Sequence, residues 1–162
     1  MILGIDFDRV LFDTDSFNDA MEEDVGGFHH TEEEPFDRNG NYSPERHAEI
    51  LDIPVERIYR GAAEKAGEFL YPDVEKLERL PCEVVIVSRG EKKFQETKIE
   101  NSGVMEHVNS FVVIESGDKD LDEIDLLVDD REKELEKVSV PTFHFDREKH
   151  GIEDVIEWVE EK

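Results

Sequence analysis

The chain has 162 residues, of which 44 are Asp or Glu and 19 are Lys or Arg, for a formal charge of −25. A surface this acidic repels nucleic-acid phosphates and anionic lipid, which argues against nucleic acid and membrane as partners. The single cysteine, Cys82, excludes a disulfide framework and a cysteine-built zinc site. Apolar residues make up only 37% of the chain, but they fall in dense runs, which argues for a folded core over disorder. No run approaches the roughly 18 apolar residues that span a bilayer. The first run ends in Asp6 and Asp8, with no basic start and no cleavage site, so no signal peptide is expected and the expected location is cytoplasmic. The acid is a coat along the whole chain, not a tail or a patch. That favours a high-salt cytoplasm over a basic partner as its origin.

Five apolar runs of four or five residues stand out, at 2–5, 84–87, 111–114, 124–128 and 142–145. Each is rich in Val, Ile, Leu or Phe. Unbroken runs of this length read as strands buried on both faces, as in a parallel sheet. Helical patterns lie between them. Ser43-Pro44 opens one helix, with Ser43 as cap and Ile50 and Leu51 on the buried side. Val55, Ile58, Tyr59, Ala62, Ala63, Ala66, Phe69 and Leu70 repeat at helical spacing, after Pro54 and before Pro72. Residues 91–102 carry Phe94 and stop at Gly103. Helices are also expected over 131–138 and 152–159, the latter with Ile152, Val155, Ile156 and Val159 on one face.

Strands alternating with helices predict an α/β fold: a three-layer α/β/α Rossmann-like domain with a mainly parallel five-stranded sheet. The first two strands are separated by far more chain than the roughly 30 residues a single crossover needs. The excess predicts a small helical insertion over 14–71, set on a discontinuous sheet domain of 1–13 and 72–162. Within the insertion, 22–42 is acidic and shows no periodicity.

Ligands of open parallel sheets bind beyond the carboxyl ends of the strands. After the first run come Asp6 and Asp8; after the second, Ser88, Arg89 and Gly90; after the third, Ser116 to Lys119; after the fourth, Asp129 and Asp130. Taken alone, each has a bland reading. Asp-x-Asp recurs at Asp13/Asp15, Asp118/Asp120 and Asp120/Asp122. Ser88 suits a turn or cap, Lys119 a solvated surface, and Asp129-Asp130 a helix N-terminus. Their order, each at an expected strand end, is what sets them apart.

That ordered set resembles the haloacid dehalogenase-like hydrolase superfamily. Asp6-Phe7-Asp8-Arg9-Val10-Leu11 resembles its first motif, Ser88 its second, Lys119 its third and Leu126-Leu127-Val128-Asp129-Asp130 its fourth. The insertion falls where that superfamily places a C1-type cap. The resemblance implies a Mg²⁺-dependent phosphohydrolase acting on a small phosphorylated metabolite through an aspartyl-phosphate. Asp6 would be nucleophile and metal ligand. Asp8 would be general acid and then base, with its backbone carbonyl a metal ligand. Ser88 and Lys119 would hold the phosphoryl oxygens, and Asp129 and Asp130 would complete the metal site. A divalent cation suits this chemistry, because it removes the repulsion between an attacking carboxylate and an anionic phosphate. Arg89 and Arg9 are candidate substrate contacts, Arg9 equally a surface cation.

Alternative readings are a non-catalytic binding or regulatory module on the same fold and, less favoured, a dehalogenase. A phospho-acceptor signalling domain would place its acidic pair near the start of the chain, not at 129–130. Several residues receive ordinary readings. His29-His30 with the acids at 32–34 reads as a hydrated loop, Arg57 and Arg60 as a solvent face, Trp158 as packing, and His144 as a core histidine.

Overall fold

The computed structural model describes residues 1–27 and 35–162. Five strands form one sheet: β1 (Ile2–Ile5), β2 (Glu83–Arg89), β3 (Ser110–Ile114), β4 (Leu126–Asp129) and β5 (Thr142–His144), in the order β3-β2-β1-β4-β5. All four pairings are parallel, with Ile5 level with Ile86 on one side and with Val128 on the other. Because β1 and β4 are neighbours without being consecutive, the strand order reverses between them. A crevice opens at such a reversal, beyond the carboxyl ends of the strands.

The central strands are apolar throughout because both faces are covered. Leu3, Ile5, Ile86, Leu126 and Val128 join one core with Val155 and Val159 of α6 (Ile152–Glu160) and Ile99 of α4 (Lys92–Ser102). Val87, Leu127 and Ile124 join a second core with Leu135 of α5 (Glu132–Leu135). Each fully buried Leu, Ile or Val contributes about 1.5–3 kcal/mol. Gly4 allows this packing, since a Cβ there would lie 3.2 Å from Ile124 Cδ1. The expected α/β sandwich is therefore the observed one. The helix expected over 131–138 is shorter, covering only 132–135. His144 is exposed, not a core residue, because β5 is the sheet edge; its ring meets the Asp130 carbonyl at 3.0 Å. Trp158 packs edge-on against Phe143.

Among the described residues between β1 and β2 lie three α-helices, α1 (Thr14–Val25), α2 (Pro44–Leu51) and α3 (Val55–Lys65), the last continuing as a 3₁₀ turn over Ala66–Glu68. Ser43 caps α2 by accepting from the Arg46 amide. Helix α1 goes beyond the sequence reading, which treated 22–42 as aperiodic although α1 runs to Val25. Its apolar signal is short, only Phe17 and Met21, and Asp13 caps it through the Ser16 amide and hydroxyl. A 3₁₀ helix also runs over Pro72–Arg79, where the sequence marks only the proline. The chain enters and leaves this helical segment through a paired neck: the Asp13 amide donates to the Phe69 carbonyl at 2.8 Å and the Tyr71 amide to the Leu11 carbonyl at 2.9 Å. Arg147 clamps the neck from below, bonding the Val10 carbonyl and both Asp73 oxygens.

Candidate active site

Strand β1 hands the chain into a tight turn. The Phe7 carbonyl accepts from the amides of Val10, Leu11 and Phe12, and Arg9 adopts a left-handed φ of 65°. The buried Phe7 ring stacks on Phe12 at 4.7 Å and anchors the turn. Asp6 and Asp8 therefore flank a fixed aromatic, and both line one cleft of about 590 Å³ at the carboxyl edge of the sheet. Asp129, at the end of the adjacent strand, stands beside Asp6, because the Asp6 amide donates to the Val128 carbonyl at 2.9 Å. Carboxylate oxygens of Asp6, Asp129 and Asp130 lie within 4.8 Å of one another.

Lys119 reaches this group from the loop after β3. Its ammonium donates to Asp6 Oδ1 at 3.1 Å and to Asp129 Oδ2 at 2.6 Å. A lysine only 1% exposed is rare and needs such partners. Burial pushes Asp6 well above the ordinary carboxylate range; Lys119 pulls it down, and Asp129 and Asp130 push it up again. Asp129 is raised too, by burial that Lys119 only partly offsets. Asp6 and Asp129 share one ammonium with Asp130 close by, and burial shifts both of the shared carboxyls toward the neutral form. That donor set fits a divalent cation, which would supply the missing positive charge.

Asp8 has the opposite surroundings. Lys98 and Thr14 donate to its Oδ1, each at 2.8 Å, and Gln95 Nε2 donates to its Oδ2 at 2.8 Å. Burial alone would raise Asp8, but the Lys98 charge and these hydrogen bonds outweigh it and hold the carboxyl below its ordinary range. Lys98 is itself buried, 5.1 Å from the Phe94 ring centroid, with Phe12 and Phe17 beyond.

The other expected residues are placed as follows. Ser88 is fully buried under the cleft floor, where its Oγ accepts from Gln95 Nε2 at 2.7 Å. Arg89 lines the cleft but is engaged: its guanidinium forms two bonds to Glu134, at 2.7 and 2.9 Å, and one to the Gly117 carbonyl. Arg9 lines the mouth and pairs with exposed Asp15 at 3.0 Å. Asp130 and Arg131 line the same wall. Asp8 contributes its side chain to the α4 cluster and not to the three-carboxylate group. The pair His29-His30 and the acids at 32–34 lie outside the described residues. Arg57 and Arg60 are exposed, as the solvent-face reading expects, and Arg57 bonds the Asp24 carbonyl.

Sequence reasoning missed Thr14, Gln95 and Lys98. A signal existed: Gln95 and Lys98 fall one and four residues after Phe94, on the buried side of α4, and polar residues on a buried helix face are the informative exception. The roof of the cleft was also missed. Phe36 and Tyr42 pair as an antiparallel bridge, the turn between them closes on Asp37, and Asn41 Nδ2 ties it to the Glu115 carbonyl at 2.8 Å.

Two solved structures share this fold over nearly their whole length. One is a haloacid dehalogenase-like family hydrolase from Xanthomonas campestris, with a TM-score of 0.59 and 14% identity over 100% of this chain and 98% of that one. The other is a candidate haloacid dehalogenase-like hydrolase from Burkholderia xenovorans, with a TM-score of 0.62 and 16% identity over 99% and 96%. The chain has the haloacid dehalogenase-like hydrolase fold. No family model matches it, and no curated protein does. No helix among the described residues is long and apolar enough to cross a membrane.

Proposed function

We propose that the protein is a Mg²⁺-dependent phosphohydrolase of the haloacid dehalogenase-like superfamily that cleaves a small phosphorylated metabolite through an aspartyl-phosphate on Asp6. The observation that carries this reading is the group of Asp6, Asp129 and Asp130, three carboxylates of which two bind one buried ammonium, set at the strand reversal beside a fourth carboxylate, Asp8, on separate partners. Charge around the cleft agrees. In a chain of net charge −25, the cleft is lined by five cationic side chains (Arg9, Arg89, Lys98, Lys119 and Arg131) and five acidic ones (Asp6, Asp8, Glu91, Asp130 and Glu134). With buried Asp129 beneath the lining, the site is still far closer to neutral than the chain as a whole, so a phosphorylated anion is repelled less there than elsewhere. A dehalogenase would leave the three carboxylates without the cation their burial calls for.

In this reading Asp6, Asp129 and Asp130 hold the Mg²⁺, with the Asp8 backbone carbonyl as a further ligand. Bound there, the cation would neutralise phosphate charge facing the nucleophile. An Asp6 oxygen attacks phosphorus, and the bond from phosphorus to the leaving oxygen breaks. Lys119 fixes the Asp6 rotamer and spreads positive charge toward the phosphoryl oxygens, with Ser88 as a further contact. Asp8, ionised before substrate binds, takes the proton of a monoanionic phosphate ester and passes it to the leaving oxygen. It then takes one from the water that attacks phosphorus, which releases phosphate and restores the Asp6 carboxylate. The helical segment 14–71 acts as the cap that roofs the cleft and restricts water.

A screen of phosphate esters with and without Mg²⁺, at low and at molar salt, tests the reading. Release of phosphate that needs Mg²⁺ and disappears in Asp6→Asn is the expected result. Absence of turnover on the whole panel would instead support a non-catalytic binding module.

A further inference from the structure

Gln95 touches two of the proposed reacting groups at once. Its Nε2 carries two protons; one goes to Asp8 Oδ2 at 2.8 Å and the other to Ser88 Oγ at 2.7 Å. The amide orientation is fixed by chemistry, since an ionised carboxylate can only accept and the oxygen of Gln95 would be repelled by it. Ser88 therefore accepts through a lone pair, and its own proton is left to donate elsewhere. Ser88 is fully buried, while Gln95, 4% exposed, lines the cleft.

The fit around the amide is close. A Cβ on Gly90 would stand 2.5 Å from Gln95 Cγ and 2.8 Å from Cδ, so a glycine at 90 makes the space that the side chain fills. Phe94 and Lys98 hold the same helix face against the core, and Glu91 caps that helix through the amides of Lys93 and Phe94.

We propose that Gln95 is a positioning residue that locks the Ser88 hydroxyl and the Asp8 carboxylate into one unit, aiming the Ser88 proton at the reacting oxyanion. This rests on the phosphohydrolase reading for its chemistry, but the bridge is testable without turnover. Inorganic phosphate in the presence of Mg²⁺ is the probe, with affinity measured by calorimetry. Ser88→Ala and Gln95→Leu each weaken phosphate binding about tenfold, and the double variant is no weaker than either single one, because each removes the same aimed donor. Gly90→Ala, which displaces the amide without deleting it, gives a smaller loss in the same direction. Losses that multiply in the double variant, an unchanged Gln95→Leu, or a wild-type protein that does not bind phosphate would each overturn the proposal.

Where hydrolysis is measurable, Gln95→Leu lowers kcat on an alkyl phosphate about tenfold more than on p-nitrophenyl phosphate, whose leaving group needs no proton. Equal loss on both esters overturns the Asp8 half of the bridge. Lack of hydrolysis by the wild type sinks the phosphohydrolase reading while the phosphate-binding cycle still decides the bridge. Circular dichroism and the melting temperature confirm that Gln95→Leu folds, and that variant alone suffices if Gly90→Ala does not.

Discussion

Asp6 and Asp8 are two residues apart, of one type, and line one cleft, yet the fold drives them in opposite directions. Asp6 sits in the crevice between β1 and β4 with two further carboxylates and a single ammonium, and burial raises it. Asp8 faces α4 and α1, where an ammonium, an amide and a hydroxyl all donate to it, and it is lowered. In the resting site these directions are the reverse of the proposed roles, since a nucleophile needs the ionised form and an acid the protonated one; a bound cation would bring Asp6 down to its working form, while Asp8 is set first to accept a proton. The separation follows from the turn: Phe7, stacked on Phe12, divides the two side chains between two walls.

The largest expected effect comes from removing the raised member. Asp6→Asn lowers kcat at least about 10³-fold, because the attacking oxygen is gone. The variant is at least as stable as the wild type without Mg²⁺, since a buried like charge has been deleted. The rise in melting temperature that Mg²⁺ gives the wild type shrinks or vanishes in the variant. An inactive but unchanged Mg²⁺ response would place the cation elsewhere.

Next comes the ammonium that both raised carboxylates share. Lys119→Met leaves Asp6 and Asp129 buried without a counter-charge, and breaking such a pair costs about 3–5 kcal/mol. The sign with pH follows from the direction of the shifts. Groups whose folded pKa lies above the unfolded value are relieved by protonation, so the loss is smaller at pH 5 than at pH 8. Millimolar Mg²⁺ restores part of it. Urea titrations at the two pH values, with and without Mg²⁺, measure all three effects.

Much of this was legible in the chain. Five apolar runs marked the strands because a doubly covered sheet leaves no polar alternation, and the residues after them marked the cleft because parallel strands deliver their carboxyl ends to one edge. Lys119 illustrates the limit. By its own neighbours, Ser-Gly-Asp-Lys, it reads as a surface lysine, and only the crossover from β3 to β4 buries it. The partners of Asp8 are hidden in the sequence, because Lys98 and Gln95 belong to a helix whose one prominent aromatic is Phe94. Helix α1 escaped since Phe17 and Met21 offer one short stripe, and its stability comes from packing on Phe12, Phe69 and Phe94. His144 was misplaced because an edge strand and a central one look alike over three residues.

The lowered member can be released without deleting it. Lys98→Met keeps a flexible side chain among Phe12, Phe17 and Phe94 but removes the ammonium from Asp8. Its kcat on an alkyl phosphate falls roughly 10–100-fold, within the share general acid–base catalysis typically contributes. KM moves less than about threefold. The stability loss is smaller than for Lys119→Met, since the Asp8 side chain is 22% exposed and keeps Thr14 and Gln95. Equal losses in kcat and in stability for the two lysine variants would erase the distinction between the two walls.

The smallest effect belongs to a third carboxylate, which asks whether a lowered pKa alone marks the site. Asp73 is held below its ordinary range: burial would raise it, but hydrogen bonds from Arg147 and from the Ile152 amide, with the Arg147 charge, outweigh that. It lies at the neck of the helical segment, not in the cleft. A group with a depressed folded pKa contributes stability that is complete above its unfolded value and lost as pH falls through the folded one. Asp73→Asn therefore costs roughly 1–2 kcal/mol at pH 7, reduced by partial exposure. The gap to wild type narrows below about pH 4, the unfolded value for Asp. Its kcat stays within about twofold, because Arg147 still holds the Val10 carbonyl beneath the nucleophile turn. A kcat loss as large as that of Lys98→Met would mean that the neck, and not the ammonium on Asp8, sets the geometry of the turn from Asp6 to Arg9.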